Sequence, residues 1–330
     1  MKLAIVILNW NGQQLLEQFL PSVVSYSKEA TIYIADNAST DNSIKFISEN
    51  YPNIAIIKNK SNGGYAKGYN DALQHINADI YCLLNSDIEV TENWLKPIIS
   101  EFQKDENIAA IQPKILDFKD KTKFEYAGAG GGFVDKYGYP YCRGRIFNST
   151  EHDLKQYNDT LNIFWASGAC LFIKSAIYRD LNGFDEDYFA HQEEIDLCWR
   201  IQNKGYSIKY VGNSTVYHVG GATLATQNPK KTFLNFRNSL FNLVKNTPKN
   251  KGVGLVFIRL CLDGIAGIKY LFEGKPLHTI AIIKAHFSFY NNLSKTLKKR
   301  TSDTKKQDYY ATKSIVWDYF VKGKKQYIRL

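Results

Sequence analysis

Several short polar clusters follow apolar runs, and their residue types suit nucleotide and metal chemistry. Asn85-Ser86-Asp87 comes directly after the apolar stretch Ile80–Leu84. A carboxylate at the end of a buried strand is an open-site oxygen ligand for Mg²⁺ or Mn²⁺, ions that take few protein ligands and complete their shell with substrate phosphates. The same residue could equally cap a following helix. Asn9-Trp10-Asn11-Gly12 and Asp36-Asn37-Ala38-Ser39-Thr40-Asp41 end two other runs. Asp36 there can accept hydrogen bonds from a ribose or a base, or serve only as a cap. In Asn62-Gly63-Gly64-Tyr65-Ala66-Lys67-Gly68-Tyr69-Asn70 the glycines let backbone approach a ligand, and Lys67 can meet a phosphate. That pattern is neither G-x-G-x-x-G nor a Walker A loop. Further on, His191-Gln192-Glu193-Glu194-Ile195-Asp196 packs three carboxylates into four positions, more than the N-terminal acid bias of a helix requires. His218 ends an apolar run before Gly220-Gly221; a lone histidine there is also compatible with a structural role.

The elements that must position these groups follow from hydropathy. Leu3–Leu8, Thr31–Ala35, Asn53–Lys58, Asp79–Leu84 and Ile108–Ile111 read as strands. Between them fall helical patterns, the first with apolar residues at Leu15, Leu16, Phe19, Leu20, Val23 and Val24. Alternating strands and helices imply a mostly parallel sheet covered on both faces, with ligands bound at the carboxyl ends of its strands. The rhythm breaks at 113–160 into loops and short hairpins. Asn162–Lys174 is strand-like around Trp165–Cys170, Glu193–Lys204 is helical, Ser207–Val219 is a strand, and from Lys231 the pattern is helical to the end.

Taken in order, Asp36, Asn85-x-Asp87, Glu193-Glu194-x-Asp196 and His218 resemble the family 2 glycosyltransferases of the GT-A fold. Ile5-Val-Ile-Leu-Asn-Trp-Asn-Gly12, Asp36–Asp41 and Asn62–Asn70 resemble its rhamnosyltransferase-like branch, and the resemblance spans about residues 3–245. It implies an α/β GT-A fold, a catalytic domain over 1–228 with a nucleotide-binding half of about 1–112 and an acceptor half of about 113–228, and a basic helical C-terminal region over 229–330. It also implies that Asn9, Asn11, Asp36, Asn37, Ser39, Asn62, Gly63, Lys67, Asn70, Asn85 and Ser86 line the nucleotide pocket. Asp87 and His218 would hold a divalent metal, Mg²⁺ or Mn²⁺. Asn85 replaces the first acid of the family's DxD-type motif.

The resemblance places the general base at Glu194, where relatives usually carry Asp, with Glu193 as the alternative. Asp196 and Arg200 would brace the helix. Trp165, Ser167, Gly168 and His191 would face the donor sugar or the acceptor, although a core role for Trp165 is an equal reading. The implied reaction is an inverting transfer from a dTDP- or UDP-linked sugar, with rhamnose the leading guess, to a saccharide or lipid-linked saccharide in bacterial surface-polysaccharide synthesis.

Composition bounds the rest. The 330 residues are 44% hydrophobic and 22% charged, ordinary for a folded chain and against whole-chain disorder. Residues 1–229 carry 21 Lys+Arg against 27 Asp+Glu, whereas residues 230–330 carry 21 against 5. That balance of +16 favours an anionic membrane surface as partner of the C-terminal region. A helical subdomain packed on the catalytic domain and a homodimer interface are the alternatives; nucleic acid is disfavoured, because no binding module is recognisable. Five cysteines without CxxC spacing suit a reducing cytoplasm, and Arg259, Asp263 and Lys269 interrupt the longest apolar stretch, Val253–Phe272. The expected location is therefore cytoplasmic, peripheral at the inner face of the membrane. Two rival readings stand beside the transferase. A sugar nucleotidyltransferase would want a glycine- and arginine-rich loop after the first strand, which Asn9–Gly12 is not. A degenerate membrane-docking module would not need Asp87, Glu194 and His218 together.

Overall fold

The computed structural model describes residues 1–220, 228–248, 252–300 and 306–330; Gly221 of the Gly220-Gly221 pair lies outside them. The first half alternates as the apolar runs require: β1 (Leu3–Asn9), α1 (Gln13–Tyr26), β2 (Ala30–Asp36), α2 (Ser43–Asn50), β3 (Ala55–Lys58), α3 (Gly64–Leu73), β4 (Ile80–Asn85), β5 (Ile88–Val90), α4 (Leu95–Lys104) and β6 (Ile108–Asp117). Four small strands follow, β7 (Gly132–Val134), β8 (Pro140–Cys142), β9 (Arg145–Ile146) and β10 (Ser149–Thr150). Then come β11 (Thr160–Asn162), β12 (Cys170–Lys174), α5 (Ser175–Asp180), α6 (Glu193–Asn203) and β13 (Ser207–His218). The C-terminal region adds α7 (Pro229–Asn246), α8 (Gly252–Phe272), α9 (Pro276–Lys298) and the short α10 (Ile315–Phe320).

The main sheet runs β11-β13-β6-β12-β4-β1-β2-β3, with β5 paired to β13. Strands β3, β2, β1 and β4 are mutually parallel, as are β6 and β13, while β12 runs antiparallel to both β4 and β6. Alternation within β1 divides the core. Leu3, Ile5 and Ile7 pack with Leu16, Leu20, Ile98 and Phe102 of α1 and α4. Ala4 and Val6 face Tyr69 and Ala72 of α3 and Leu197 of α6. Helices thus cover both faces, and β1, β2 and β4 end together at Asn9, Asp36 and Asn85.

Three local expectations need correction. Trp165–Gly168 is not strand: Trp165 exchanges backbone hydrogen bonds with Gly132, and Ser167 N donates to the buried Gln112 side chain at 2.7 Å, so β12 begins only at Cys170. Strand β5, three residues long, is too short for periodicity to reveal. The last described stretch is mostly irregular rather than helical; it lies on the small sheet, where Asp135 accepts from Ile315 N at 3.0 Å and Glu151 from Tyr327 N at 2.8 Å.

Candidate functional site

The carboxyl ends of β1 and β2 build a polar corner. Asn9 Nδ2 donates to Asp36 Oδ1 (3.2 Å) and Ser39 Oγ (3.1 Å), and Ser39 N donates to Asp36 Oδ2 (3.1 Å). Asn11 Oδ1 accepts from Thr40 N at 2.7 Å. With its amide so fixed, Asn9 leaves Oδ1 buried and without a partner. A Cβ on Gly12 would lie 2.6 Å from that oxygen, so only glycine leaves it room. A buried acceptor without a donor is costly unless a ligand supplies one, and Ser86 lies beside the same point. Next to it, Asn37 Nδ2 donates to Asn62 Oδ1 (2.9 Å), which also accepts from Gly64 N (3.0 Å). Gly64 has φ +82° and passes so close to the Phe189 carbonyl that a Cβ would clash.

The second centre sits where β4 and β13 end. Asp87 Oδ1 and His218 Nε2 are 3.1 Å apart, both buried, and Nε2 is 3.3 Å from Asn85 Nδ2. On the other side of the ring, Nδ1 faces Glu125 Oε2 at 3.4 Å. Burial opposes charge on His218, but Glu125 and the hydrogen bond to Asp87 push its pKa up to about 10. Burial likewise opposes charge on Asp87, yet the His218 contact holds its pKa below the usual value.

The pair fits a divalent ion provided that the ion displaces the proton His218 Nε2 shares with Asp87. Octahedral ligands at 2.0–2.1 Å lie ~3 Å from one another, which matches the 3.1 Å between Oδ1 and Nε2. Glu125 behind Nδ1 is the outer partner that orients a ligating imidazole. Among the described residues no group of three or more His, Cys, Asp or Glu side chains converges as a self-sufficient cage, so any ion here would depend on substrate oxygens.

The third centre is the start of α6. Glu193 Oε2, Glu194 Oε2 and His191 Nε2 are buried without partners. Burial raises the pKa of both glutamates, Glu193 strongly because Glu194 adds negative charge, and Glu194 to about 7. Glu193 is buried outright, whereas Glu194 keeps partial access to solvent. Burial also lowers His191 to about 4. The approach to these residues is strained: Phe189, His191 and Gln192 all have positive φ (63°, 68° and 74°). Such conformations cost ~1–3 kcal/mol each and persist only when the surroundings impose them.

Helix α7 imposes them. Asn238 Nδ2 donates to the carbonyls of Tyr188 (3.1 Å), Ala190 (3.1 Å) and His191 (2.7 Å). Asn242 Oδ1 accepts from Tyr188 Oη at 2.7 Å, and Asn246 Nδ2 donates to Asp196 Oδ1 at 2.8 Å. Arg237 Nη2 reaches the carbonyls of Asp187 and Tyr188. Asp196 is further held by Arg200 (2.8 Å) and Lys245 (2.8 Å), and Arg200 spans to the carbonyls of Leu181 and Gly183. The division of the chain near residue 228 is therefore no division in packing.

A chain of polar contacts leads from α3 to His218. Tyr65, at the start of α3, donates through Oη to Gly168 O at 2.6 Å. Ser167 Oγ donates to Ala127 O, whose own N–H donates to Glu125 Oε2 at 2.5 Å, and Glu125 meets His218. Three expected site residues are otherwise engaged. Trp165 has no free face: Nε1 donates to Phe133 O at 2.9 Å and Gly132 covers the ring, so it is a core residue. Asn70 spends its amide on Phe184 N and O and on Tyr178 Oη. Lys67 pairs with Asp71 at 2.8 Å and faces Glu186 at 3.8 Å.

Glu125, Tyr65 and Asn238 escaped the sequence reading, as did two cations near Glu125, Arg145 and the partly buried Lys231. Glu125 sits in a segment without periodicity, and Tyr65 lies inside the Asn62–Asn70 motif without any feature that singles it out. Asn238, Asn242 and Asn246, four apart on one helix face, are a signal that spacing could have revealed.

Comparison with known proteins agrees with this architecture. The family model described as glycosyl transferase family 2 matches residues 4–181. An N-acetylglucosaminyl-diphospho-decaprenol L-rhamnosyltransferase of Mycobacterium tuberculosis is 23% identical over 233 residues, 66% of this chain and 75% of that protein. A mannosyltransferase of Pyrobaculum calidifontis solved with GDP-Man and Mn²⁺ has a TM-score of 0.54 at 13% identity, covering 88% of this chain and 87% of that one. GalNAc-T7, solved with UDP, GalNAc and Mn²⁺, gives 0.52 at 17% identity over 66% of this chain, but the match spans only 43% of that chain.

Proposed function

The chain belongs to glycosyl transferase family 2, and from that premise we propose that it is an inverting transferase that moves a sugar from a nucleoside-diphosphate donor to a hydroxyl of a saccharide. Its fold is of the GT-A type and its activity is glycosyl transfer. The observation that carries the mechanistic reading is that one fold holds both a buried carboxylate oxygen without a partner, Glu194 Oε2, and a second polar centre at Asp87 and His218.

In this reading Asn9 Oδ1 receives a donor from the base or ribose, with Asp36 and Ser39 fixing its orientation and Asn11, Asn37, Asn62 and Ser86 completing the corner. Asp87 and His218 Nε2 would hold a Mg²⁺ or Mn²⁺ ion, which supplies positive charge to the departing diphosphate. Arg145 and Lys231 add positive charge near Glu125. Glu194 takes the proton of the acceptor hydroxyl as that oxygen attacks the anomeric carbon; a pKa near neutrality suits a general base. A single displacement inverts the configuration. His191, neutral at pH 7, leaves no competing positive charge beside the carboxylate.

Rhamnose from a dTDP-sugar, or a UDP-sugar, is the proposed donor, and a lipid-linked saccharide at the inner membrane face the proposed acceptor. Support comes from the rhamnosyltransferase relative, whose name specifies a polyprenyl-linked acceptor. The test is thermal-shift binding of a panel of nucleotides and nucleotide sugars with and without Mn²⁺. Metal-dependent stabilisation by dTDP or UDP supports the reading; no response to any nucleotide overturns it.

A further inference from the structure

Helices α8 and α9 form an antiparallel hairpin whose polarity is inverted. The charged residues in the middle of α8, Arg259 and Asp263, point inward and are buried. Arg259 Nε donates to Asp263 Oδ1 at 2.7 Å and Nη2 to Ser239 Oγ at 2.8 Å, while Tyr139 Oη donates to Asp263 at 3.0 Å and stacks under the guanidinium at 3.6 Å. The outward side is apolar. Phe257, Ile265, Leu277 and Phe287 are 63–68% exposed and Phe272, at the hairpin tip, is 89% exposed. Soluble monomers seldom expose a contiguous apolar face along two helices of this length.

Two features identify what covers it. The face is flanked by exposed Lys284 and Lys298 and, at the tip, by Lys269 and Lys275, two cations that share the single carboxylate of Glu273, within a region whose charge balance is +16. A second copy would bring that charge against itself, which opposes self-association; an anionic surface is complementary to it. Among the described residues no helix is long and apolar enough to cross a membrane, because the inward charges interrupt the apolar sequence. A long helix with one apolar face and basic flanks lies in the headgroup–acyl boundary instead.

We infer that the α8–α9 hairpin is an interfacial membrane insert, with Phe257, Ile265, Phe272, Leu277, Ile283 and Phe287 embedded in the leaflet and the flanking lysines on anionic headgroups. This deepens the proposed reading by adding a docking surface on the side of a lipid-linked acceptor. It is tested without donor or acceptor, so it fails separately from that reading.

The test is flotation of the full chain with vesicles of phosphatidylcholine containing 30% phosphatidylglycerol, or of phosphatidylcholine alone. The expected result is co-flotation with the anionic vesicles, reduced several-fold by 0.5 M NaCl and by omission of phosphatidylglycerol. The double variant Ile265→Ser/Phe272→Ser, altered only at exposed positions, should melt like the wild type and lose at least tenfold in vesicle partitioning. Failure of the wild type to float, or equal flotation of a folded variant, overturns the inference. So does a wild type that sediments as a dimer without binding vesicles while the variant is monomeric, which would assign the face to a second copy.

Discussion

Asn238 Nδ2 donates to His191 O at 2.7 Å, tying a helix of the C-terminal region to the residue two places before Glu193. The same nitrogen lies within reach of the carbonyls of Tyr188 and Ala190, its two hydrogens shared among the three, so one amide holds a turn whose backbone would relax without it. Asn238→Ala should therefore displace the glutamates. A fall in kcat of about ten- to hundredfold is expected from a displacement of about 1 Å, with a smaller change in nucleotide affinity, because Asn9 and Asp36 make no hydrogen bond to this turn. Steady-state kinetics beside nucleotide titration distinguishes this from general destabilisation, which would weaken both.

The raised pKa of Glu194 has two consequences of opposite kind. Activity should rise with pH through about 7 as the carboxyl ionises and becomes a base. Stability should fall over the same range. The unfolded carboxyl ionises near its ordinary value of 4.5 while the folded one keeps its proton to about 7, so the unfolded chain binds fewer protons in between. Glu194→Gln should abolish transfer, spare donor binding, and flatten the decline in Tm between pH 5 and 8. A Gln variant with near-normal turnover moves the base to Glu193.

Asp87→Asn and His218→Ala should each remove the Mn²⁺-dependent part of nucleotide stabilisation while leaving the metal-independent part. The measurement is thermal shift with UDP or dTDP across a Mn²⁺ series. If Mn²⁺ dependence survives in both variants, the ion is held elsewhere.

Asp196 is buried between Arg200, Lys245 and Asn246, and although burial opposes its charge these partners hold its pKa far below the ordinary carboxylate range. Its stabilising contribution is complete above the unfolded value of about 3.9 and is lost as pH falls below it. Asp196→Asn leaves buried cations short of their counter-charge. A cost of roughly 3 kcal/mol is expected, measured by urea unfolding at pH 7, and the difference from wild type should shrink at pH 3.

The β1–β4 half was legible because buried parallel strands are continuous apolar runs and because polar residues follow them where the strands end together. Asp87, Glu194 and His218 were legible only as a series in order; no single one of them exceeds what capping or packing explains. Glu125 lies in an irregular segment, and nothing local marks it as the partner of a histidine 93 positions away. Trp165 misled because an aromatic suited to a sugar is equally suited to a core, and the glycine that covers it is 33 residues upstream. Arg259 and Asp263 were read as breaks in an apolar stretch. Their i, i+4 spacing places them on one face, and packing turned that face inward.

The asparagine ladder on α7 bears on how such transferases can be recombined. A chimera that joins the first 228 residues of this chain to the tail of a relative would separate Asn238, Asn242, Asn246 and Lys245 from the carbonyls and carboxylate they hold. Crossovers aimed at a new acceptor range must therefore carry α6 and α7 as one exchange unit. The α8–α9 hairpin belongs to the same unit, because Arg259 donates to Ser239 and His278 meets Thr232 of α7, while Lys295 pairs with Asp187 in the turn before α6.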